Sequence, residues 1–158
     1  MLRRLAAMIY EAFLVAAILF LGAAIGTALA GGTASGAGRI GLQVFLFVLL
    51  GAYFVFSWRR GGRTLAMKAW HLRLVAADGG AVSPLRAVLR YAIAATLVCA
   101  AMVGAVEVYR NGAGAGAAWA AIAPLVASVA WGFLDQQGRF LHDRASGTKV
   151  VHEKTVAA

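Results

Sequence analysis

The chain has 158 residues, of which 62% are hydrophobic and only 13% are charged. Because a soluble domain is about half apolar and about a quarter charged, this composition excludes a water-soluble globular protein, and it also excludes a disordered chain. The 15 Lys and Arg residues against 6 Asp and Glu give a formal net charge of +9, which in so apolar a sequence indicates a membrane protein rather than a partner of nucleic acid.

Four long runs that are almost free of charge predict four transmembrane helices. They cover about residues 5–30, 40–58, 87–106 and 117–134, and Glu11 and Arg90 are the charged side chains inside them. A membrane-spanning helix needs about 20 mostly apolar residues. The predicted fold is therefore an all-α integral membrane protein, a four-transmembrane-helix bundle that forms a single domain over residues 1–158. A three-span arrangement is the alternative, because Arg90 lies inside the third run.

The first run has two interpretations. Arg3 and Arg4 precede it, and Ala28-Leu29-Ala30 has the small-residue pattern of a cleavage site, as in a secretory signal peptide. However, the run is longer than the usual apolar region of about 7–15 residues, and it contains Glu11. These two features favour an uncleaved transmembrane helix.

The basic residues gather on one side of the predicted spans. If the N-terminus is cytoplasmic, the cytoplasmic segments are residues 1–4, the loop 59–86 and the tail 135–158. On or next to this side lie 13 of the 15 basic residues: Arg3, Arg4, Arg59, Arg60, Arg63, Lys68, Arg73, Arg86, Arg90, Arg139, Arg144, Lys149 and Lys154. This asymmetry predicts cytoplasmic N- and C-termini, with anionic lipid of the bilayer as a partner at the cytoplasmic face.

The loop 59–86 contains the pattern of a short strand. Trp70, Leu72 and Leu74 alternate with polar residues, Asp78-Gly79-Gly80 is a turn sequence, and Ala81-Val82 offers a return strand. We therefore predict a short amphipathic cytoplasmic β-hairpin between the second and third transmembrane helices. Ser83-Pro84 has the residues of an N-cap and a first helical position for the third span.

Three ordered stretches of the chain resemble the RDD family of bacterial membrane proteins. They are Arg4-Leu-Ala-Ala-Met-Ile-Tyr-Glu11, Gly62-Arg-Thr-Leu-Ala-Met-Lys68 with the following Leu72-Arg-Leu-Val75 and Asp78-Gly79-Gly80, and Leu141-His-Asp-Arg-Ala-Ser-Gly-Thr148. The resemblance runs from Arg3 to Val151, and it implies a multi-pass protein of the bacterial inner (plasma) membrane.

The resemblance also implies which residues matter. Arg4 matches the arginine that opens the family's first helix, Asp143 matches the family's second aspartate, and Glu11 stands where the first aspartate is expected. The change from Asp to Glu keeps the charge and lengthens the side chain by a methylene group. A transport role is often presumed for the family, so the resemblance makes ion or small-solute transport an expectation.

Glu11 and Arg90 are the sharpest candidates on physical grounds, because a charged group inside a span usually faces a partner or a wet cavity. We expect Glu11 to lie near Arg90, with two alternatives. The pair is either a gated carboxylate that takes up a proton or a cation, or a buried ion pair that sets the register of the first and third helices. Arg86 lies one turn before Arg90 and would extend the basic stripe.

A second group of charged residues follows the fourth span. Asp135, Asp143 and Arg144 either form a cytoplasmic mouth or make salt bridges that fix the tail. The three histidines and the single cysteine lack the spacing of a metal site, and the sequence has no nucleophile, phosphate-loop or metalloprotease motif. We therefore expect no enzyme, no metal and no cofactor.

Two classes of function remain from the sequence. The first is a transporter of ions or small solutes that uses Glu11, and since four short spans form a narrow bundle, we expect such a pathway to need a homo-oligomer. The alternative is a non-transporting accessory or scaffold membrane protein that positions a partner through its cytoplasmic hairpin and tail.

Overall fold

A computed structural model of the chain describes residues 2–29, 31–32, 36–112, 114–135 and 138–152. It is mostly helical (76%). Within the described residues the elements in chain order are α1 (Leu2–Leu29), α2 (Ala37–Gly61), α3 (Leu65–Ala69), β1 (Leu72–Ala76), α4 (Pro84–Asn111), α5 (Ala115–Leu134), α6 (Leu141–Ala145) and β2 (Thr148–His152). Parts of the predicted tail, residues 136–137 and 153–158 with Lys154, lie outside this description.

The four long helices confirm the predicted transmembrane architecture over the three-span alternative. Among the described residues, four helices are long and apolar enough to cross a membrane: Leu2–Leu29, Ala37–Gly61, Pro84–Arg110 and Gly116–Leu134. Most of them extend past the apolar runs into charged sequence. For example, α1 includes Arg3 and Arg4, and α2 continues through Arg59 and Arg60. A charged end does not stop a helix, because its side chains reach the headgroup level of a bilayer.

Large apolar side chains cover the outside of the long helices. Phe13, Phe20 and Ile25 of α1 and Val48 of α2 are exposed, with Phe20 at 74% of its full accessibility. Buried residues form at most 11% of the apolar window of any of the four helices. Large apolar side chains exposed along membrane-length helices indicate contact with lipid rather than with water.

The chain divides into two units. The N-terminal unit comprises residues 2–73 and 151–152, and the C-terminal unit comprises residues 74–150. In the N-terminal unit α1 packs on α2 and on α3. Gly22 and Gly26 of α1 lie in close contact with α2, because Cβ atoms added to them would lie 2.8 Å from Leu46 Cδ2 and 2.5 Å from Leu42 Cδ1.

In the C-terminal unit α4 packs on α5, and both pack on α6. The start of α4 is as predicted. Ser83 is the N-cap, its hydroxyl accepts from the backbone N–H of Arg86 at 3.3 Å, and Pro84 occupies the first turn. Farther along, α4 and α5 approach closely at Gly104, where an added Cβ would lie 2.5 Å from the Cβ of Ala121.

The predicted hairpin is wrong in its second strand. β1 forms as expected, with Leu72, Leu74 and Ala76 buried and Arg73 exposed, but its antiparallel partner is β2, from the end of the chain. The turn after β1 does form, since the Ala76 N–H donates to the Gly80 carbonyl at 3.0 Å. A return strand cannot follow it, because Ser83 already caps α4 and residues 81–82 are too few to make a ladder.

Candidate functional site

The carboxylate of Glu11 is the centre of a polar cluster in the N-terminal unit. Glu11 is half-buried on α1, inside a membrane-length helix. The Tyr53 hydroxyl of α2 donates to its Oε1 at 2.8 Å, and the Thr64 hydroxyl donates to its Oε2. Three segments of the chain therefore meet at one carboxylate through two neutral donors.

Thr64 occupies a position that the local sequence prepares. Gly62 ends α2 with φ at 66°, a left-handed conformation that glycine adopts without a steric cost, and this reverses the chain before α3. Thr64 is then the N-cap of α3, and its hydroxyl oxygen accepts from the Met67 N–H at 3.2 Å. Since Thr64 is only 1% exposed, one buried hydroxyl both caps α3 and donates to Glu11.

A buried ion pair joins Arg90 and Asp143 in the C-terminal unit. The Nη1 of Arg90, on α4, donates to Oδ1 of Asp143, on α6, and also to the Thr148 hydroxyl at 3.1 Å. Arg90 is 8% exposed and Asp143 is 0% exposed. The second oxygen of Asp143 accepts from the Phe140 N–H at 3.0 Å, at the start of α6. Asp143 thus has its charge compensated and both oxygens occupied.

His142 extends this ion pair into a network of buried polar groups. Its Nε2 lies 3.3 Å from Nη2 of Arg90, and its Nδ1 lies 3.5 Å from the Ser128 hydroxyl of α5. The same Nε2 lies 3.5 Å from Oδ1 of Asp143, so it faces both the guanidinium, which can only donate, and a carboxylate, which accepts.

The Ser146 side chain closes the network at the end of α6. Its hydroxyl donates to the His142 carbonyl at 2.7 Å and lies 2.9 Å from the Thr148 hydroxyl. Ser146 and Thr148 are 3% and 0% exposed. Polar groups buried in this way are satisfied by one another, which fixes α6 and the start of β2 against α4 and α5.

Asp135 holds the segment that follows α5. Its Oδ2 accepts from the backbone N–H of Arg139 at 3.0 Å and from Nε of Arg139 at 3.3 Å. Its Oδ1 lies 3.8 Å from Nη1 of Arg144, whose guanidinium in turn lies 5.7 Å from the ring centroid of Trp131. The geometry of Asp135 and Arg144 favours the interpretation that they fix the tail.

Arg86 and Arg90 form ion pairs with different carboxylates, although they are one helical turn apart on α4. Arg86 lies 3.4 Å from Oδ2 of Asp78, in the exposed turn after β1. Two hydrogen bonds lower the pKa of Asp78 below its usual value: the one from the backbone N–H of Gly80 has the larger effect, and the one from Arg86 has the smaller effect. Arg90 instead donates to Asp143 in the interior of the same unit.

Arg4 and Glu11, which match the family's motif positions, both lie on α1. Arg4 is half-buried in the first turn of α1. The proximity of Glu11 to Arg90 stays a prediction, because the two residues belong to different units. Inside its own unit each has partners that sequence reasoning did not identify, namely Tyr53 and Thr64 for Glu11 and Asp143 for Arg90.

Some of the site residues that sequence reasoning missed lie inside recognisable sequence motifs, and others do not. Thr64, His142 and Thr148 lie inside the three motif stretches, so the motifs could have identified them. Tyr53 and Ser128 are single hydroxyls in apolar runs, and no local pattern distinguishes them. Among the residues that the structure describes, no three His, Cys, Asp or Glu side chains are grouped as metal ligands.

A comparison with known protein families supports the resemblance seen in the motifs. The sequence model of the RDD family matches residues 1–147 of this chain. This match includes Glu11, Tyr53, Thr64, Arg90 and Asp143. No curated protein matches the chain, and no solved structure matches it.

Proposed function

Because this chain belongs to the RDD family and is a membrane protein with four membrane-length apolar helices, we propose that it transports a proton or a small cation through the carboxylate of Glu11. The membrane is the bacterial inner membrane. The observation that carries the proposal is the contrast between Glu11, which is partly buried, and Asp143, which is fully buried.

The contrast lies in the charge of their partners. Asp143 pairs with the guanidinium of Arg90, so its negative charge is compensated in place. Glu11 accepts from the hydroxyls of Tyr53 and Thr64, which are neutral and leave the charge of the carboxylate uncompensated by these contacts. A charge inside a span costs about 2.5–3.5 kcal/mol on insertion scales, so binding a proton or a cation at Glu11 relieves a cost that Asp143 does not carry.

The oxygen atoms around Glu11 suit the binding and release of a proton or a cation. Carboxylate and hydroxyl oxygens are the ligands that hard cations prefer. A hydroxyl can rotate, so that Tyr53 and Thr64 donate to the free carboxylate or present their oxygen lone pairs to a bound ion. The elements that hold these groups, α1, α2 and the start of α3, belong to one unit, which keeps them together during exchange.

The experiment is flux into proteoliposomes that contain the purified chain. Proton movement is followed with a pH-sensitive dye while a gradient of Na⁺, K⁺ or Li⁺ is applied. We expect flux above that of empty liposomes, and we expect Glu11→Gln to abolish it. Glu107→Gln is the matched control, because Glu107 is an exposed acid at the far end of α4 that contacts Arg110 and Asn111.

The outcomes separate transport from the alternative function. If the unmodified chain gives no flux under any gradient, the accessory or scaffold function replaces the transport proposal. If Glu11→Gln and the unmodified chain give equal flux, Glu11 is not the coupling group. Chemical cross-linking in the membrane measures the homo-oligomer that we propose for a narrow four-helix protein.

The orientation is also part of the proposal, with both termini in the cytoplasm. It rests on the asymmetry of the basic residues, of which Arg39 and Arg110 alone lie on the other side of the spans. Cys99 is the one cysteine of the chain, so a Cys99→Ser variant is a background for single-cysteine labelling. In intact cells an impermeant maleimide should label Asn111→Cys and should not label Asp78→Cys. The reverse pattern would overturn the orientation.

A further inference from the structure

The segment from Arg59 to Arg73 is strongly basic and contains no acid. Its basic residues are Arg59, Arg60, Arg63, Lys68 and Arg73. Arg59, Arg60 and Lys68 are exposed. Glu11 is the acid of the N-terminal unit among its described residues, and its carboxylate is engaged by Tyr53 and Thr64. We call residues 59–73 the basic segment.

The short helix α3 has one buried face and one exposed face. Ala66 and Met67 are buried against the unit, at 0% and 8% exposure. Leu65 and Lys68 are three residues apart, so they share the opposite face of the helix, and both are exposed. Leu65 is exposed by 56%, on a helix of five residues whose other face holds the buried Ala66 and Met67.

Aromatic rings accompany the charges of the basic segment. Trp70 ends α3 and is 38% exposed. At the end of α2, the guanidinium of Arg60 lies 5.3 Å from the ring centroid of Phe56. Since α2 is a membrane-length helix, its last turn lies at the level of the lipid headgroups, where tryptophan and arginine are both favoured.

We propose that the basic segment is a binding surface for anionic phospholipid. Arg59, Arg60 and Lys68 contact the phosphates, while Leu65 and Trp70 insert at the boundary between headgroups and acyl chains. Positive charge beside exposed apolar side chains matches the chemistry of an anionic lipid, which presents a phosphate next to hydrocarbon. A nucleic acid would use the charges and leave Leu65 in water.

The basic segment and the Glu11 cluster share one residue, Thr64. It caps α3, which carries Leu65 and Lys68, and its hydroxyl donates to Glu11. Lipid bound at α3 therefore holds the segment that positions a donor of the candidate transport site. The binding itself does not depend on the proposed transport function, because it is measured without any gradient.

The experiment is native mass spectrometry of the purified full-length chain, titrated with equal amounts of phosphatidylglycerol and phosphatidylcholine. We expect phosphatidylglycerol adducts to dominate, and we expect Arg59→Gln with Arg60→Gln to reduce this preference by about fivefold for each charge removed. Lys68→Gln should reduce it by a similar factor. Arg39→Gln with Arg110→Gln, which removes two exposed charges outside the basic segment, should leave the preference unchanged.

Two further arms keep the test independent of folding in the variants. With the unmodified chain, the preference should fall as ionic strength rises, because salt screens exposed charges. Inorganic phosphate added at millimolar concentration should not displace the lipid. Equal binding of the two lipids by the unmodified chain overturns the proposal, as does displacement by free phosphate or an equal effect of the Arg39 and Arg110 variant.

Discussion

Arg90 on α4 and Asp143 on α6 form a buried ion pair across 53 residues of sequence. Asp143 is fully buried, and Thr148 and His142 also contact the guanidinium of Arg90. The pair connects the third transmembrane helix to the last motif of the chain. Its arrangement explains why two charges can be buried next to each other in so apolar a protein.

Breaking this pair should destabilise the protein strongly. Asp143→Asn leaves the Arg90 charge buried without its counter-ion, and Arg90→Met does the same to Asp143, so we expect each to lower the free energy of unfolding by about 3–5 kcal/mol. Unfolding in mixed SDS micelles, followed by circular dichroism, measures the loss. The double variant should lose less than the sum of the two single variants, because it leaves neither charge alone.

The exposed pair of Asp78 and Arg86 is the matched control on the same helix. Its side chains are 67% and 40% exposed, so solvent screens their interaction. Asp78→Asn should leave the unfolding midpoint at neutral pH almost unchanged. If it costs as much as Asp143→Asn, burial is not what makes the Arg90 pair important.

The Glu11 cluster predicts different effects for its two donors. Tyr53→Phe removes one hydroxyl and leaves α3 intact. Because that hydroxyl donates to the ion-free carboxylate, and a hydrogen bond to a charged group contributes about 1.5–3 kcal/mol, its loss destabilises the empty site, and we expect the apparent affinity for a coupling proton to rise about tenfold or more. Thr64→Val removes the other donor and the N-cap of α3, which adds a loss of about 1 kcal/mol in stability. Flux in proteoliposomes and unfolding in micelles measure the two effects.

Thr64→Ser is the control for that pair of variants. Serine keeps the hydroxyl that donates to Glu11 and accepts from the Met67 N–H, so it should retain both flux and stability. Equal flux in Tyr53→Phe, Thr64→Val and the unmodified chain would contradict the assignment of these hydroxyls to the transport site.

The sequence predicted the long elements well and the long-range pairings poorly, for a physical reason. Burial in lipid acts on whole stretches, so charges that bracket the apolar runs were enough to place α1, α2, α4 and α5. The partner of a strand or of a buried charge depends on contacts far along the chain. Nothing local in β1 indicates that its partner is β2, and nothing near Arg90 indicates Asp143.

The candidate site shows the same limit at the scale of single side chains. Glu11 was visible because a charge is rare in an apolar run. Its donor Tyr53 was not, because a tyrosine in a membrane helix is unremarkable until its hydroxyl is seen 2.8 Å from a carboxylate. Thr64 lies inside a motif, but its double role as cap and donor needs the three-dimensional arrangement.

The ionised Asp78 in the turn after β1 should make a small part of the free energy of unfolding depend on pH. The backbone N–H of Gly80 and the guanidinium of Arg86 hold the pKa of Asp78 below its usual value. A carboxyl whose pKa is lower in the folded state stabilises the fold above its ordinary pKa and loses that contribution as the pH falls through the lowered value. Unfolding midpoints should therefore converge for Asp78→Asn and the unmodified chain in strong acid, and a difference that grows on acidification would contradict this sign.

The close approach of α4 and α5 at Gly104 should make this glycine difficult to replace. A Cβ there would lie 2.5 Å from the Cβ of Ala121 and 3.2 Å from its Cα, so backbone would have to move. We expect Gly104→Ala to cost about 1–3 kcal/mol.

Gly22 and Gly41 are the controls that separate this steric effect from helix propensity. At Gly22 the added Cβ meets the flexible end of Leu46 at 2.8 Å, and at Gly41 it meets nothing within 4 Å. Gly22→Ala should therefore cost less than Gly104→Ala, and Gly41→Ala should be neutral or stabilise by about 0.5–1 kcal/mol, because alanine favours helix. If unfolding in micelles shows equal losses for Gly22→Ala and Gly104→Ala, the rigid contact with Ala121 is not what limits the packing of α4 on α5.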